Sequence, residues 1–210
     1  MIAGLCAGRR IFQHTSRAVR QVGSVDAGWD RMGANSVEVM ATLTHIPLEV
    51  YLRSSEYEPD AEYVDGVIEE RPMGEFDHAD WQLAIATWFR SHAKEWNVRV
   101  LPELRVQVSA TRFRVADVAV LDRSEPVEQI ARHAPIAVFE VLSPEDTVKR
   151  MQRKLDDYAV MGIPQIWIVD PDSGRFQRYS NGSLAAGTQF SEPAHGIEFD
   201  LGEIAGLLQR

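Results

Sequence analysis

A single cysteine, Cys6, stands in 210 residues, so an internal disulfide framework is excluded and a reducing compartment such as the cytoplasm is expected. Long apolar runs are missing as well. None approaches the roughly 20 residues a membrane-spanning helix needs, so no membrane span is expected. Positive charge is scarce: 22 Lys and Arg face 31 Asp and Glu, a net charge of −9. That lowers the expectation of nonspecific attachment to nucleic acid, because phosphate binding is largely electrostatic. Net charge does not describe a local site, however. There is no internal repeat and no low-complexity tract.

What remains is a chain 45% hydrophobic and 25% charged, ordinary for one globular domain with an ample core. Residues 1–39 differ from the rest. They carry a net charge of +2 against −11 for residues 40–210, and show no sustained period of 2 or 3.6. Arginines at positions 9, 10, 17 and 20 deny them the apolar core of a secretory signal. They read as a disordered leader, or as residues upstream of a true start at Met40. Residues 40–210 read as a single domain.

Periodicity divides that domain. Residues 47–54 suggest a short helix, and YVDGVIEE (63–70), alternating around Asp65-Gly66, a strand or a hairpin. Residues 77–96 place Trp81, Ile85, Trp88, His92 and Trp96 at helical spacing, with Asp77 or Asp80 as N-cap. Strands follow over 98–108, 113–121 and 136–142. The next helix reads from Ser143 as N-cap, with Pro144 at its first position and Asp146 completing a capping box; it ends at Met161 before Gly162. A strand over 165–170, a final hairpin around Asn181-Gly182 and a helix near 203–208 complete the pattern. A strand, a helix and a strand joined by short loops imply a parallel pair, so an α/β fold with a mixed, helix-covered sheet is expected.

Two strands put a carboxylate on an apolar face. In a strand, residues two apart share a face. Glu140 thus keeps company with Ile136, Val138 and Leu142, and Asp117 with Phe113, Val115, Ala119 and Leu121. A buried carboxylate shifts its pKa, pairs or binds a metal. Two at the ends of adjacent strands could share one cation, and oxygen ligands without a His or Cys cluster point to Mg²⁺ or Mn²⁺. The alternative is that each caps a strand end or pairs with an arginine such as Arg105 or Arg114. Lys154 falls at the border of the following helix's apolar stripe, placed either to reach the strand ends or to extend into solvent.

Asp117 in RVADVAV, Glu140 in EVLSP, the downstream Lys154 and Tyr158, and GIPQIWIVDP closely resemble the Uma family of putative restriction endonucleases, within the PD-(D/E)xK nuclease superfamily. The resemblance spans about residues 45–205. It implies a restriction-endonuclease-like α/β/α core, Asp117 and Glu140 as metal ligands, and a lysine supplied by the helix. Leu142 stands where the superfamily usually has that lysine, Ala116 replaces the proline, and Arg150 stands where many relatives carry an acid. Glu70, Glu103 and His78 match more loosely; Glu70 or Glu103 would complete the site, though both read also as exposed strand acids, and His78 as a turn or capping residue.

The activity so implied is Mg²⁺- or Mn²⁺-dependent hydrolysis of DNA phosphodiesters by a homodimer. Asp117 and Glu140 would hold the ion, with the Val141 carbonyl as a third ligand, and Lys154 would orient water or stabilise charge. Lys149, Arg150, Arg153, Arg112 and Arg114 would contact phosphates. Two other readings are an interaction module that retains the fold without the chemistry, and a metal-dependent hydrolase of a small phosphorylated molecule.

Overall fold

Asp65 and Gly66 both adopt positive φ, 50° and 92°, the turn that lets two right-twisted strands reverse in two residues. Gly66 is required twice over, since a Cβ there would lie 2.1 Å from the His45 ring. The turn joins β1 (Ala61–Val64) to β2 (Val67–Glu70), and α1 (Leu48–Arg53) packs beside them through Tyr51, stacked on Tyr63. The computed structural model describes residues 45–54, 61–71 and 74–208. The leader expected over residues 1–39 lies outside them.

The remaining elements are α2 (Phe76–Ser91), β3 (Val98–Ser109), β4 (Arg112–Asp122), β5 (Ala137–Val141), α3 (Val148–Met161), β6 (Gln165–Asp170), β7 (Arg175–Ser180), β8 (Ser183–Ala186), β9 (Gln189–Glu192), β10 (Ile197–Asp200) and α4 (Gly202–Ala205). Among the described residues, eight strands form one mixed sheet in which β5 and β6 are the parallel strand pair, joined through α3. Trp81, Ile85 and Phe89 of α2 bury against Val118, Phe139 and Trp167 on one face. Met151, Leu155 and Tyr158 of α3 bury against Ala119, Val138 and Ile166 on the other. The architecture is therefore the expected α/β/α.

Two helix starts differ from expectation. Residue Glu75 precedes α2 and makes no side-chain cap; Asp77 falls inside the first turn, where its charge suits the helix's positive end, and Asp80 is buried. Helix α3 begins at Val148, capped by Thr147, whose hydroxyl accepts from the Arg150 amide. The Ser143–Asp146 segment closes on itself instead: the Ser143 amide donates to Asp146 Oδ2 at 2.9 Å and the Asp146 amide to the Ser143 carbonyl at 3.0 Å. The residue types that cap a helix also close a turn. The α3 C-terminus is as expected, with Gly162 at φ 91° and the Ile163 amide returning to the Tyr158 carbonyl.

The C-terminal region holds one hairpin more than expected. Beyond β7 and β8, β9 and β10 form a separate two-stranded sheet that lays Phe190 and Phe199 on Phe89. Each strand has four residues, too few for alternation to register.

One feature of the sheet positions everything that follows. Strand β3 pairs with one edge of β4 along nearly its whole length. The other edge is shared: β1 pairs at Arg112 and Phe113, β5 at Val118 to Val120. Between them the sheet forks, and residues 114–117 of β4 have no strand partner on that edge among the described residues. The backbone groups left over are met by side chains. The Val115 amide donates to Glu62 Oε1 at 3.1 Å, the Val115 carbonyl accepts from Lys154 Nζ at 2.8 Å, and the Asp117 carbonyl accepts from Gln82 Nε2 at 2.9 Å. A buried backbone group without a partner costs about as much as a lost hydrogen bond, so the fork demands polar side chains from its surroundings.

Candidate functional site

The first group gathers around Asp117. The β3–β4 register sets Glu103 across from it, Pro102 pairing with Val118 and Leu104 with Ala116 while the residues between them form no ladder pair. Glu103 holds φ 52°, a left-handed conformation that a side chain rarely adopts. Above this pair lies the first part of α2. His78 Nε2 stands 3.6 Å from Asp117 Oδ1, and its Nδ1 meets the Ser143 hydroxyl at 3.2 Å, which fixes the ring's orientation. One turn on, Gln82 also donates to Glu103 Oε1 at 2.5 Å. Arg71, just past β2, bonds Glu103 Oε2 through Nη1 and Asp117 Oδ1 through Nη2. One ligand atom each from His78, Glu103 and Asp117 lie within 4.8 Å of one another.

The second group gathers around Lys154. Its ammonium contacts Glu140 Oε2 at 2.7 Å, Glu62 Oε1 at 3.0 Å and the Val115 carbonyl, three acceptors for three protons. Tyr158, one turn later, donates to Glu140 Oε1 at 2.7 Å. Glu62 is held further by Arg114 at 2.8 Å, and Arg114 by Asp157 at 2.7 Å and Glu69 at 3.0 Å. The two groups touch at one point: the Val141 amide, next to Glu140, donates to Asp117 Oδ2 at 2.7 Å.

Glu140 and Lys154 are therefore in direct contact despite fourteen residues of separation, and Lys154 is buried rather than extended into solvent. Asp117 lies beside them, but its nearest acidic partner across the ladder is Glu103. His78 lies in the first turn of α2 and is aimed at Asp117, so it is not the turn or capping residue its local sequence suggests; Glu103 is the exposed strand acid expected of it, yet belongs to the same group. Glu70 is exposed at the end of β2. Of the arginines expected to contact phosphates, Arg114 is fully buried among carboxylates and cannot do so. Arg112 pairs with Asp65 and Asp157, and Arg153 with Glu69. Sequence reasoning missed Arg71, Gln82 and Glu62 as members of these groups, because nothing in their local spacing marks a residue that fills a tertiary gap.

The electrostatics separate the carboxyl groups. Burial alone would raise Glu62, but the charges of Lys154 and Arg114 and the Val115 amide hold it down at about 2. Burial likewise opposes the charge on Asp117, and His78, Lys154 and Arg71 bring it below the usual range. Burial raises Glu140 to about 8; the neighbouring Asp117 charge adds to this, while Lys154 pulls the other way. Burial would lower His78 and Lys154, yet the Asp117 carboxylate raises the first and Glu140, Glu62 and Asp117 raise the second. Burial thus disfavours the charged form of Glu140, and a positive neighbour favours it. Beside His78 and Ser143 opens a cavity of about 360 Å³, lined also by Glu75, Asp77, Asp170 and Asp172. Its acidic wall would repel a phosphate that arrived without a cation.

The family model Uma2, described as "Putative restriction endonuclease", matches residues 48–199. The chain belongs to the Uma2 family. Among solved structures, this Uma2 member is similar to a putative nuclease belonging to DUF820 from Anabaena variabilis, 21% identical, with a TM-score of 0.66 over 77% of this chain and 98% of that one. That likeness shows a shared fold. A DrdV–DNA complex aligns at 20% identity over 60% of this chain and 10% of the other, with a TM-score of 0.34 that carries no argument. No curated protein matches the chain. Among the described residues of the Uma2 chain, no helix is long and apolar enough to cross a membrane.

Proposed function

We propose that this Uma2 protein is a divalent-metal-dependent endonuclease that hydrolyses DNA phosphodiesters, with Asp117, Glu140 and Lys154 as its catalytic set and Mg²⁺ or Mn²⁺ as its ion. The observation that carries the reading is the convergence of carboxylates and a buried lysine at the fork of the sheet, Asp117 joined to the Glu140 strand through the Val141 amide. The donor chemistry fits the ion. Asp117 and Glu103 offer hard oxygens and His78 an imidazole nitrogen within a common 4.8 Å; oxygen suits both ions, and the imidazole favours Mn²⁺.

Asp117 would hold the ion, with Glu140 closing the site from the adjacent strand. A bound ion supplies Lewis acidity toward the phosphate and water of lowered pKa. Lys154 supplies fixed positive charge in a dry setting, and the donor it now gives to Glu140 is the one it can turn toward the attacking water. His78, oriented by Ser143, closes the open side. Lys149 and Arg150, at the start of α3, remain to meet the DNA backbone. The homodimer implied by the family resemblance belongs to the same reading, and sedimentation velocity tests it.

Nicking of supercoiled plasmid tests the activity. The wild type should nick in Mg²⁺ or Mn²⁺, and Asp117→Ala and Lys154→Ala should each fall by roughly 100-fold or more. Absence of metal-dependent nicking by the wild type removes the reading. The alternative is hydrolysis of a small phosphorylated molecule, which would bring fewer negative charges than DNA to the acidic cavity beside His78. Added salt separates the two, since DNA turnover should weaken steeply and small-substrate turnover should not.

A further inference from the structure

We propose that Arg71 is the resident cation of this site: a guanidinium that a divalent ion must displace from Asp117 and Glu103, and that is then free to bind a substrate phosphate. The proposal rests on the metal reading above and adds to it an exchange of one cation for another.

The shared atoms carry the first half. Asp117 Oδ2 is committed to the Val141 amide and Glu103 Oε1 to Gln82. The oxygens left to face each other are Asp117 Oδ1, which also faces His78, and Glu103 Oε2. Arg71 takes both, one through each terminal nitrogen. An ion entering among His78, Glu103 and Asp117 therefore meets the same two oxygens that the guanidinium holds. Two cations on the same pair of oxygens repel strongly in a largely buried setting, where the Arg71 side chain is only 10% exposed. One must leave.

The second half follows from what the other cations near the fork are doing. Lys154 spends its three protons on Glu62, Glu140 and Val115, and Arg114 is enclosed by Glu62, Asp157 and Glu69. Arg71 lies past the end of β2, in no helix or strand among the described residues. A guanidinium that bridges two carboxylates presents the same planar fork that matches two phosphate oxygens. Exchange would thus add a positive group to the acidic approach only when the ion is in place, coupling metal occupancy to phosphate binding.

Calorimetric titration of MnCl₂ and MgCl₂ into the full chain, its Arg71→Gln variant and its Asp117→Asn variant tests the exchange. Arg71→Gln should bind the ion at least about tenfold more tightly than the wild type, since no cation must be expelled, and Asp117→Asn should not bind. With Ca²⁺ present, Arg71→Gln should bind a duplex oligonucleotide more weakly by fluorescence anisotropy, with its salt slope reduced by about 1. If wild type binds the ion as tightly as Arg71→Gln or more so, Arg71 is a brace and the exchange is overturned while the metal site stands. If neither binds any ion, the metal reading itself falls. Unchanged oligonucleotide affinity overturns the phosphate role. Should Arg71→Gln fail to fold, Arg71→Met keeps the apolar stem without the charge; an ion affinity no higher than wild type then overturns the exchange.

Discussion

Two ionic groups meet the same strand three residues apart, at Arg114 and at Asp117, and they are built on opposite plans. The one around Arg114 and Lys154 is closed: Glu62 is fully buried, the charges alternate, and the three protons of Lys154 meet three acceptors. The one around Asp117 is open. Its Glu103 side chain is 37% exposed, it includes an imidazole, and a single arginine holds its two carboxylates together. A closed network offers a ligand an atom only by giving up a bond it already makes, as Lys154 and Glu140 would have to release each other before meeting water or an ion. An open one keeps lone pairs that a better cation can claim. The fork in the sheet creates the demand for polar side chains in both places, and what differs is whether the protein itself satisfies it completely.

Breaking the closed group should have the largest effect. Arg114→Met leaves Glu62 with Lys154 and the Val115 amide and Asp157 with Arg112 alone, and removal of one partner from a buried pair costs about 3–5 kcal/mol; urea denaturation should show that loss. Acid should attack the same group next. Glu62 is depressed to about 2 in the fold and returns to an ordinary carboxylate value when unfolded. Its contribution is therefore complete above about pH 4.5 and lost as pH falls from there toward 2, on the order of a few kcal/mol. Melting curves of Glu62→Gln should lack that part of the acid limb.

Smaller changes sharpen the contrast. Tyr158→Phe removes one donor from Glu140 and should cost about 1–2 kcal/mol by denaturation. At the open group the effect on stability should nearly vanish while binding suffers. Glu103→Asn removes a partly exposed carboxylate and suits the left-handed backbone, so stability should stay within about 0.5 kcal/mol of wild type. Divalent affinity by calorimetry should nevertheless fall. A large stability loss in Glu103→Asn would erase the distinction between the two groups.

The division also explains what could be read from the chain alone. The sheet, the parallel β5–β6 pair, the Asp65-Gly66 turn and the Gly162 terminus follow from period and turn chemistry, which are local. Asp117, Glu140 and Lys154 stood out because a charge inside an apolar pattern is visible without any structure. Glu62, Arg71 and Gln82 did not, because their roles come from a gap between β1 and β5 that exists only once the strands are assembled. Arg114 was read only in part, as a partner for a buried acid or a phosphate contact: an arginine between Phe113 and Val115 in a strand gives no sign of the three carboxylates around it. Ser143 and Asp146 formed a turn of their own, and Thr147 took the capping role assigned to Ser143.

The fork has a spectroscopic consequence. Strand amides ordinarily donate to carbonyls, whose charge does not change with conditions. Here the Val115 amide donates to a Glu62 oxygen and the Val141 amide to an Asp117 oxygen. Their proton and nitrogen resonances therefore act as two internal electrodes, one wired to the closed group and the other to the open one. In a single isotope-labelled sample, acid should move the Val115 signal as Glu62 gains its proton, and a divalent ion should move Val141 while leaving Val115 nearly still.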